Sequence, residues 1–227
     1  HPERVETAIY LEATSYLMGD VEQAYVILRE VLKSGARDLY LAVTLPGERQ
    51  FLADPKVHEI VDEFAVILTV DVERARILGV GLGDSRDAAV EALEARSSDP
   101  TAPTLTASAG PALIWAFAFD AEQQLHEIVL QADNLYRYTP YRLQFGRGMD
   151  WRLTPAAAMA AWGAPSGIAS TRDDGMVATW DYPGHRLTID FGRPRAPQPP
   201  GVPEGAAVLR AIRLTRQAEE STDRMTE

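Results

Sequence analysis

The chain has no cysteine, no surplus of basic residues and no long apolar run. The missing cysteine excludes disulfides, thiol catalysis and thiolate metal sites. With 22 Lys and Arg against 33 Asp and Glu, the net charge of −11 disfavours nucleic acid and anionic membrane surfaces as partners. No segment is apolar over the length that crosses a bilayer, so membrane insertion is not expected. The acidic balance remains compatible with a basic protein partner.

The compartment is not fixed by these features, although a cytoplasmic location is slightly favoured. The chain starts at His1, which is not a natural initiator residue. We therefore expect a processed terminus, a cloning remnant or a longer parent protein.

The overall composition, with 46% apolar and 24% charged residues, is ordinary for a globular protein. A chain of 227 residues can bury a core as one large domain or two small ones. The patterning predicts an α+β fold, in which N-terminal helical hairpins precede two tandem units, each a helix plus an antiparallel sheet. The predicted boundaries are 1–70 for the helical region, 71–135 and 136–215 for the two units, and 216–227 for a charged tail.

The clearest predicted helix runs from Asp20 to Gly35. Asp20 is a favoured N-cap residue, and Gly35 provides a left-handed exit. A second helical pattern precedes it over Val5 to Met18, and Asp54 with Pro55 is typical of another helix start. One apolar stripe at helical spacing comprises Val21, Ala24, Tyr25, Leu28, Val31 and Leu32.

The turn between these helices, Tyr16-Leu17-x-Gly19-Asp20-x-Glu22-x-Ala24, resembles the inter-helix turn of a tetratricopeptide repeat. The segment Phe51-Leu52-Ala53-Asp54-Pro55-x-Val57-x-x-Ile60 resembles the helix that follows the last such repeat. The resemblance covers roughly residues 3–65 and about one repeat. It implies the capping end of a longer array or an isolated helical domain, because repeats bury their faces on each other. A generic helical hairpin is the alternative.

A short pattern occurs twice in the rest of the chain, each time as a capped helix followed by strands. The first helix is capped by Ser85 and its unit ends in Leu125 to Leu130. The second is capped by Thr154 and its unit ends in Leu209 to Leu214. The preceding stretch, Ala65 to Val70, fits either a helix end or a strand.

The second copy carries Thr154-Pro155…Trp162-Gly163-Ala164-Pro165, then Trp180-x-Tyr182 and Leu187-x-Ile189-x-Phe191. It is similar to the fold shared by β-lactamase inhibitor proteins and a small outer-membrane-assembly lipoprotein. That resemblance implies a unit that binds other proteins, sometimes as a tandem pair. The first copy has Glu94 where the family has glycine, and no binding residue of the families maps onto this chain.

No pattern of catalytic, metal-binding or cofactor-binding residues is found, so none of these sites is predicted. Gly79-x-Gly81-x-Gly83 lacks the glycine spacing of a dinucleotide site. His58-Glu59 resembles a zinc-protease motif, but Asp62 stands where the second histidine is required. Asp173 and Asp174 fit a solvated turn better than an acid–base pair.

The candidate partner-binding residues lie between the two copies. Tyrosine and arginine dominate the hot spots of protein interfaces, because they combine apolar area with directional hydrogen bonds. The alternative is an inter-repeat strand with tyrosine rings packed across the sheet. The candidates are Tyr136, Arg137, Tyr138, Tyr141 and Arg142.

The sequence therefore predicts a non-enzymatic protein-binding module, with a bacterial inhibitor or immunity-type protein as its specific form. One alternative is a hydrolase with an unrecognised carboxylate and histidine site around Asp173, Asp174 and His185. Another is a structural or assembly domain of an envelope protein. The partner's identity and the oligomeric state stay open.

Overall fold

A computed structural model of the protein describes residues 11–12, 14–36, 48–93, 103–108, 114–131, 140–146, 148–150, 152–193 and 205–217. These residues form an α+β fold with mainly antiparallel strands, which confirms the predicted class. Residues 11–12 and 14–17 are helical, within the helix predicted from Val5 to Met18. The helices that follow are α1 (Val21–Lys33), α2 (Glu48–Ala53), α3 (Pro55–Glu63), α4 (Arg86–Leu93) and α5 (Pro155–Trp162). Its strands are β1 (Val66–Asp71), β2 (Arg76–Ile77), β3 (Val80–Gly81), β4 (Thr104–Ser108), β5 (Ile114–Phe119), β6 (Leu125–Gln131), β7 (Tyr141–Phe145), β8 (Gly167–Ser170), β9 (Met176–Tyr182), β10 (His185–Gly192) and β11 (Val208–Arg216).

The helix predicted between Asp20 and Gly35 is present, with the expected residues at its two ends. Asp20 caps α1 by accepting a hydrogen bond from the Gln23 backbone N–H, and Gly35 has the left-handed φ of +93° after its end. Asp54 caps α3 by accepting from the Lys56 backbone N–H at 2.8 Å, with Pro55 in the first turn. The core between the helices comprises Ala24, Tyr25, Leu28, Leu32, Phe51, Val57, Ile60 and Val61.

A half-buried acid, Asp54, holds α1 against the start of α3. The Asp54 carboxylate accepts the hydroxyl hydrogen bonds of Tyr25 at 2.7 Å and Tyr16 at 3.1 Å. Burial acts to raise the pKa of Asp54, but the hydrogen bonds from Tyr25, the Lys56 backbone and Tyr16 outweigh it and lower that pKa. Burial and the same carboxylate raise the pKa of Tyr25 to about 12.

The ambiguous stretch from Ala65 to Val70 is a strand rather than a helix end. Strand β1 pairs in parallel with β7, so that Val66 lies opposite Tyr141 and Val70 opposite Phe145. On its other side β1 pairs with β2, and β2 forms a short hairpin with β3. The described residues thus form a four-stranded sheet in the order β3-β2-β1-β7.

The larger sheet has seven antiparallel strands in the order β4-β5-β6-β11-β10-β9-β8. Its centre is the pair β6–β11, in which Ile128 lies opposite Leu214 and Leu130 opposite Ile212. Strands β4 to β6 of the first predicted unit and β8 to β11 of the second therefore belong to one continuous sheet, whereas β2, β3 and β7 belong to the four-stranded sheet. The predicted boundary at 135/136 and most of the predicted tail lie outside the described residues, as does the proline-rich loop from Pro194 to Pro203.

One apolar core joins both sheets and the helices α4 and α5. Helix α5 supplies the buried Ala158, and its Trp162 ring packs edge-on against Phe145 at 5.7 Å and Trp180 at 5.6 Å. Gly163 ends this helix with a φ of +83°, and its carbonyl accepts a hydrogen bond from the Trp180 indole at 3.0 Å. Helices and the small sheet therefore cover one face of the seven-stranded sheet.

Candidate functional site

The opposite face of the seven-stranded sheet is accessible, and two adjacent rows of side chains define it. Successive side chains of a strand alternate between faces, so every second residue of each strand points away from the core. The first row, from β4 to β9 in sheet order, is Thr106, Ala116, Val129, Arg213, Thr188 and Thr179. The second row is Thr104, Ala118, Glu127, Thr215, Arg186 and Asp181. All twelve are exposed or half-buried, and we call them the open face.

Short side chains dominate the open face, since all but four of its residues are Thr, Ala or Val. The four charged residues form two cross-strand ion pairs. Arg213 lies 3.3 Å from Glu127, and Arg186 donates to Asp181 at 2.6 Å. The hydrogen bond from Arg186 is the largest contribution that lowers the pKa of Asp181. The face is therefore nearly flat, polar and locally neutral.

The predicted aromatic and arginine cluster does not lie on this face as far as the structure describes it. Tyr136, Arg137 and Tyr138 fall outside the described residues. Tyr141 is half-buried, and its ring meets Trp115 edge-on with centroids 6.1 Å apart.

Arg142 is buried, with 7% of its side chain exposed. Its Nε donates to Asp62 Oδ1 at 2.9 Å, its Nη2 lies 2.8 Å from the same oxygen, and its Nη1 donates to the Tyr141 carbonyl at 2.9 Å. This arginine joins β7 to helix α3. The Asp62 that interrupts the zinc-protease pattern at His58 is therefore the partner of Arg142.

The carboxylate and histidine trio of the hydrolase alternative is not assembled. His185 lies opposite Tyr182 at one end of the β9–β10 hairpin, and Asp173 and Asp174 precede Met176 at the other end. Six strand residues at about 3.3 Å each separate the two ends by roughly 20 Å. Such a separation is incompatible with shared acid–base chemistry.

Asp173 and His185 also have structural roles. The Asp173 carboxylate accepts from Thr171 Oγ1 at 2.8 Å and from Arg210, and these two hydrogen bonds lower its pKa. His185 is buried, with Nε2 2.8 Å from the Val72 carbonyl oxygen and its ring stacked on Tyr182. A general acid needs a raised pKa, so the shift of Asp173 has the wrong sign for that role.

The glycine-rich segment from Gly79 to Gly83 forms the β2–β3 hairpin and the turn that follows it. The Gly81 backbone N–H donates to Asp84 Oδ2 at 2.8 Å, and Arg76 lies 2.9 Å from the same oxygen. A carboxylate of the chain thus occupies the position that an anionic ligand would need. Among the described residues no group of histidines and acids is arranged to hold a metal ion, and no helix is long and apolar enough to cross a membrane.

Comparisons with known proteins give little similarity. No protein-family model matches the chain, and no curated protein matches it significantly. A solved structure that resembles it is that of a DUF4309-family protein (YjgB) from Bacillus subtilis, with a TM-score of 0.39 and 11% sequence identity. The alignment covers 62% of this chain and 84% of that one. At this level the likeness carries no argument about function.

Proposed function

We propose that the protein is a non-enzymatic protein-binding module of the inhibitor or immunity type, and that the open face is its binding surface. The observation that carries the proposal is the accessible, mostly uncharged face across the seven-stranded sheet. The open face runs from β4 to β9, so five inter-strand spacings of about 4.8 Å give a width of ~24 Å, and the central strands are about 25 Å long. The resulting area of roughly 600 Å² approaches the ~800 Å² that each partner buries in a standard interface.

The side chains of the open face favour binding on entropic grounds. Thr, Ala and Val lose little rotamer freedom on burial, whereas long Lys, Glu or Gln side chains lose much more. The central row from Val129 to Thr179 contains one long side chain, Arg213. A partner can approach this row closely and immobilise few flexible groups.

The net charge of −11 leads us to propose a basic partner, since opposite charges accelerate association. The resemblance to β-lactamase inhibitor proteins supports the same type of function. We propose that the partner also contacts Tyr136, Arg137 and Tyr138.

The test is capture of proteins from bacterial lysate by the tagged chain, identified by mass spectrometry and repeated with purified partner by calorimetry. Thr188→Arg places a long cation in the centre of the open face and is expected to abolish capture of the partner. Ala160→Arg adds the same side chain to the exposed side of α5, away from the open face, and is expected to retain it. Thermal unfolding establishes that both variants are folded.

Equal capture by the two variants would show that the open face is not the binding surface. If the wild-type chain captures nothing beyond what an unrelated acidic protein captures, the protein-binding function itself is wrong. Added salt is expected to slow association if the partner is basic, because screening shortens the reach of the charges. Tyr138→Ala tests the additional contacts in the same assay.

A further inference from the structure

A pocket of about 320 Å³ opens where the parallel strands β1 and β7 end. The carboxyl ends of parallel strands lie at the same edge of a sheet, and ligands of α/β proteins commonly bind in the crevice beyond that edge. In this protein Val70 and Asp71 end β1, and Gly146 follows β7. Helix α5 closes one side with Trp162. The pocket is lined by Thr69, Val70, Asp71, Val72, Glu73, Gly146 and Trp162.

Trp162 is the aromatic residue among those that line this pocket. Its ring is held by edge-on contacts with Phe145 and Trp180, at 5.7 Å and 5.6 Å between centroids. A fixed indole face attracts a cation through the ring quadrupole, and planar guanidinium groups stack on it particularly well.

Asp71 and Glu73 are acidic, and among the described residues that line the pocket none is basic. Asp71 Oδ1 accepts the backbone N–H of Arg74 at 3.0 Å, which fixes the carboxylate in its turn. The Arg74 side chain is 81% exposed, and its Nε stays 3.9 Å from Asp71 Oδ2. This cation is held loosely enough to give way to a ligand.

We propose that the pocket binds one alkylguanidinium group, stacked on Trp162 and hydrogen-bonded by the carboxylates of Asp71 and Glu73. Carboxylates pair with guanidinium in a planar, bidentate geometry that an ammonium does not match. The volume lies at the lower limit of small-molecule pockets, which suits one side chain or a ligand of similar size. The guanidinium can belong to a free metabolite or to an arginine of a protein partner.

The probes are ethylguanidinium, its neutral isostere ethylurea, and the capped tripeptide Gly-Arg-Gly. Binding is followed by NMR through the indole N–H signal of Trp162, one of four tryptophans in the chain, which is assigned by its loss in Trp162→Phe. Ethylguanidinium is expected to shift this signal saturably, with a dissociation constant in the range of about 1 mM. Ethylurea is expected to have no effect. Tighter binding of the tripeptide assigns the site to a protein partner, and equal binding assigns it to a small molecule.

Glu73→Gln keeps the shape of the pocket and removes one charge, so it is expected to weaken ethylguanidinium binding about tenfold. Glu91→Gln makes the same change on the exposed side of α4 and is expected to leave binding unchanged. The proposal is overturned if no probe gives a saturable shift, if ethylurea acts like ethylguanidinium, or if both variants bind like wild type. None of these outcomes depends on the open face.

Discussion

Replacing Asp62 by alanine removes the carboxylate that compensates the buried Arg142 guanidinium. Burial lowers the pKa of Arg142, and the charge of Asp62 opposes that shift. A guanidinium nevertheless stays protonated at neutral pH, so Arg142 cannot avoid the cost by losing its proton. In the Asp62→Ala variant the positive charge of Arg142 therefore stays buried in β7, without its hydrogen bonds to Asp62.

The expected cost follows from the exposure of the two partners. Removing one partner of a fully buried pair costs about 3–5 kcal/mol, whereas an exposed pair contributes about 0–1 kcal/mol. Arg142 is 7% exposed but Asp62 is 59% exposed, so water can approach the guanidinium from the Asp62 side. We expect Asp62→Ala to lower the free energy of unfolding by about 2 kcal/mol, between these two limits.

Replacing the other partner of the pair, Arg142, is expected to lower the free energy of unfolding less. Arg142→Met removes the buried charge, keeps much of the apolar stem, and leaves Asp62 accessible to water. We expect a loss of about 1 kcal/mol, mainly from the lost hydrogen bond between Arg142 and the Tyr141 carbonyl. In the double variant, Asp62→Ala should add almost nothing to Arg142→Met, which corresponds to a coupling energy of about 2 kcal/mol.

The assay is urea unfolding of the four proteins in a double-mutant cycle, followed by tryptophan fluorescence and circular dichroism. Glu63→Ala is the matched control, because it breaks the Arg29–Glu63 pair on the same helix, with side chains 32% and 47% exposed. That control is expected to have a small effect, because solvent screens an exposed ion pair. The reasoning is refuted if Asp62→Ala costs no more than Glu63→Ala, or if the two substitutions of the Asp62–Arg142 pair simply add.

Two further predictions concern a tyrosine and a glycine. An ultraviolet titration should find one tyrosine with a pKa of about 12, absent in Tyr25→Phe. Because the pKa of Tyr25 is higher in the folded than in the unfolded state, the protonated tyrosine stabilises the folded state. This stabilisation is complete below pH 10 and is lost as the pH rises to about 12, so a free energy of unfolding that stays constant over this range would contradict the prediction. Gly175→Ala would place a Cβ 2.6 Å from the Phe191 carbonyl oxygen, so it should cost about 1–3 kcal/mol in chemical unfolding. Gly167→Ala, whose Cβ would lie 4.0 Å from Thr179, should be nearly neutral, and equal effects of the two would contradict the close approach at Gly175.

The sequence predicts the elements whose ends are determined by neighbouring residues. Asp20, Asp54 and Thr154 each accept a backbone hydrogen bond two or three residues ahead, as expected for caps. The turn at Asp173 to Gly175 also lies where the turn residues predict it, between β8 and β9. These signals act over a few residues, so they can be read without knowledge of the rest of the chain.

Pairing between distant segments could not be predicted in this way. The parallel pair β1–β7 and the central pair β6–β11 join strands that are 70 or more residues apart, and local patterns do not encode such partners. The sequence does not predict strand β8, because all four of its residues are exposed and apolar and polar side chains do not alternate along it. Arg142 resembled an interface residue because its partner Asp62 lies 80 residues earlier.

The sequence indicates part of the open face. In β5, Trp115 and Phe117 alternate with Ala116 and Ala118, and this alternation indicates one apolar and one accessible side. What the pattern of one strand does not show is that the accessible sides of several strands lie in a single surface. That depends on the register, and a shift of one residue in any strand would turn its outward residues to the core.

The open face and the guanidinium pocket can be tested separately because of the alternation within β9. Trp180 points into the core, where its ring supports Trp162 at the pocket. Its neighbours Thr179 and Asp181 point to the open face, in line with Thr188 and Arg186 of β10. A structural change at Glu73 therefore reaches the open face through Trp162 and then Trp180, and the densely packed core leaves Trp180 few alternative positions. Removing one negative charge weakens the attraction of a basic partner wherever that charge lies, so Glu91→Gln serves as the control. A partner that binds the open face and loses more affinity in Glu73→Gln than in Glu91→Gln contacts the pocket directly, as an arginine anchor would.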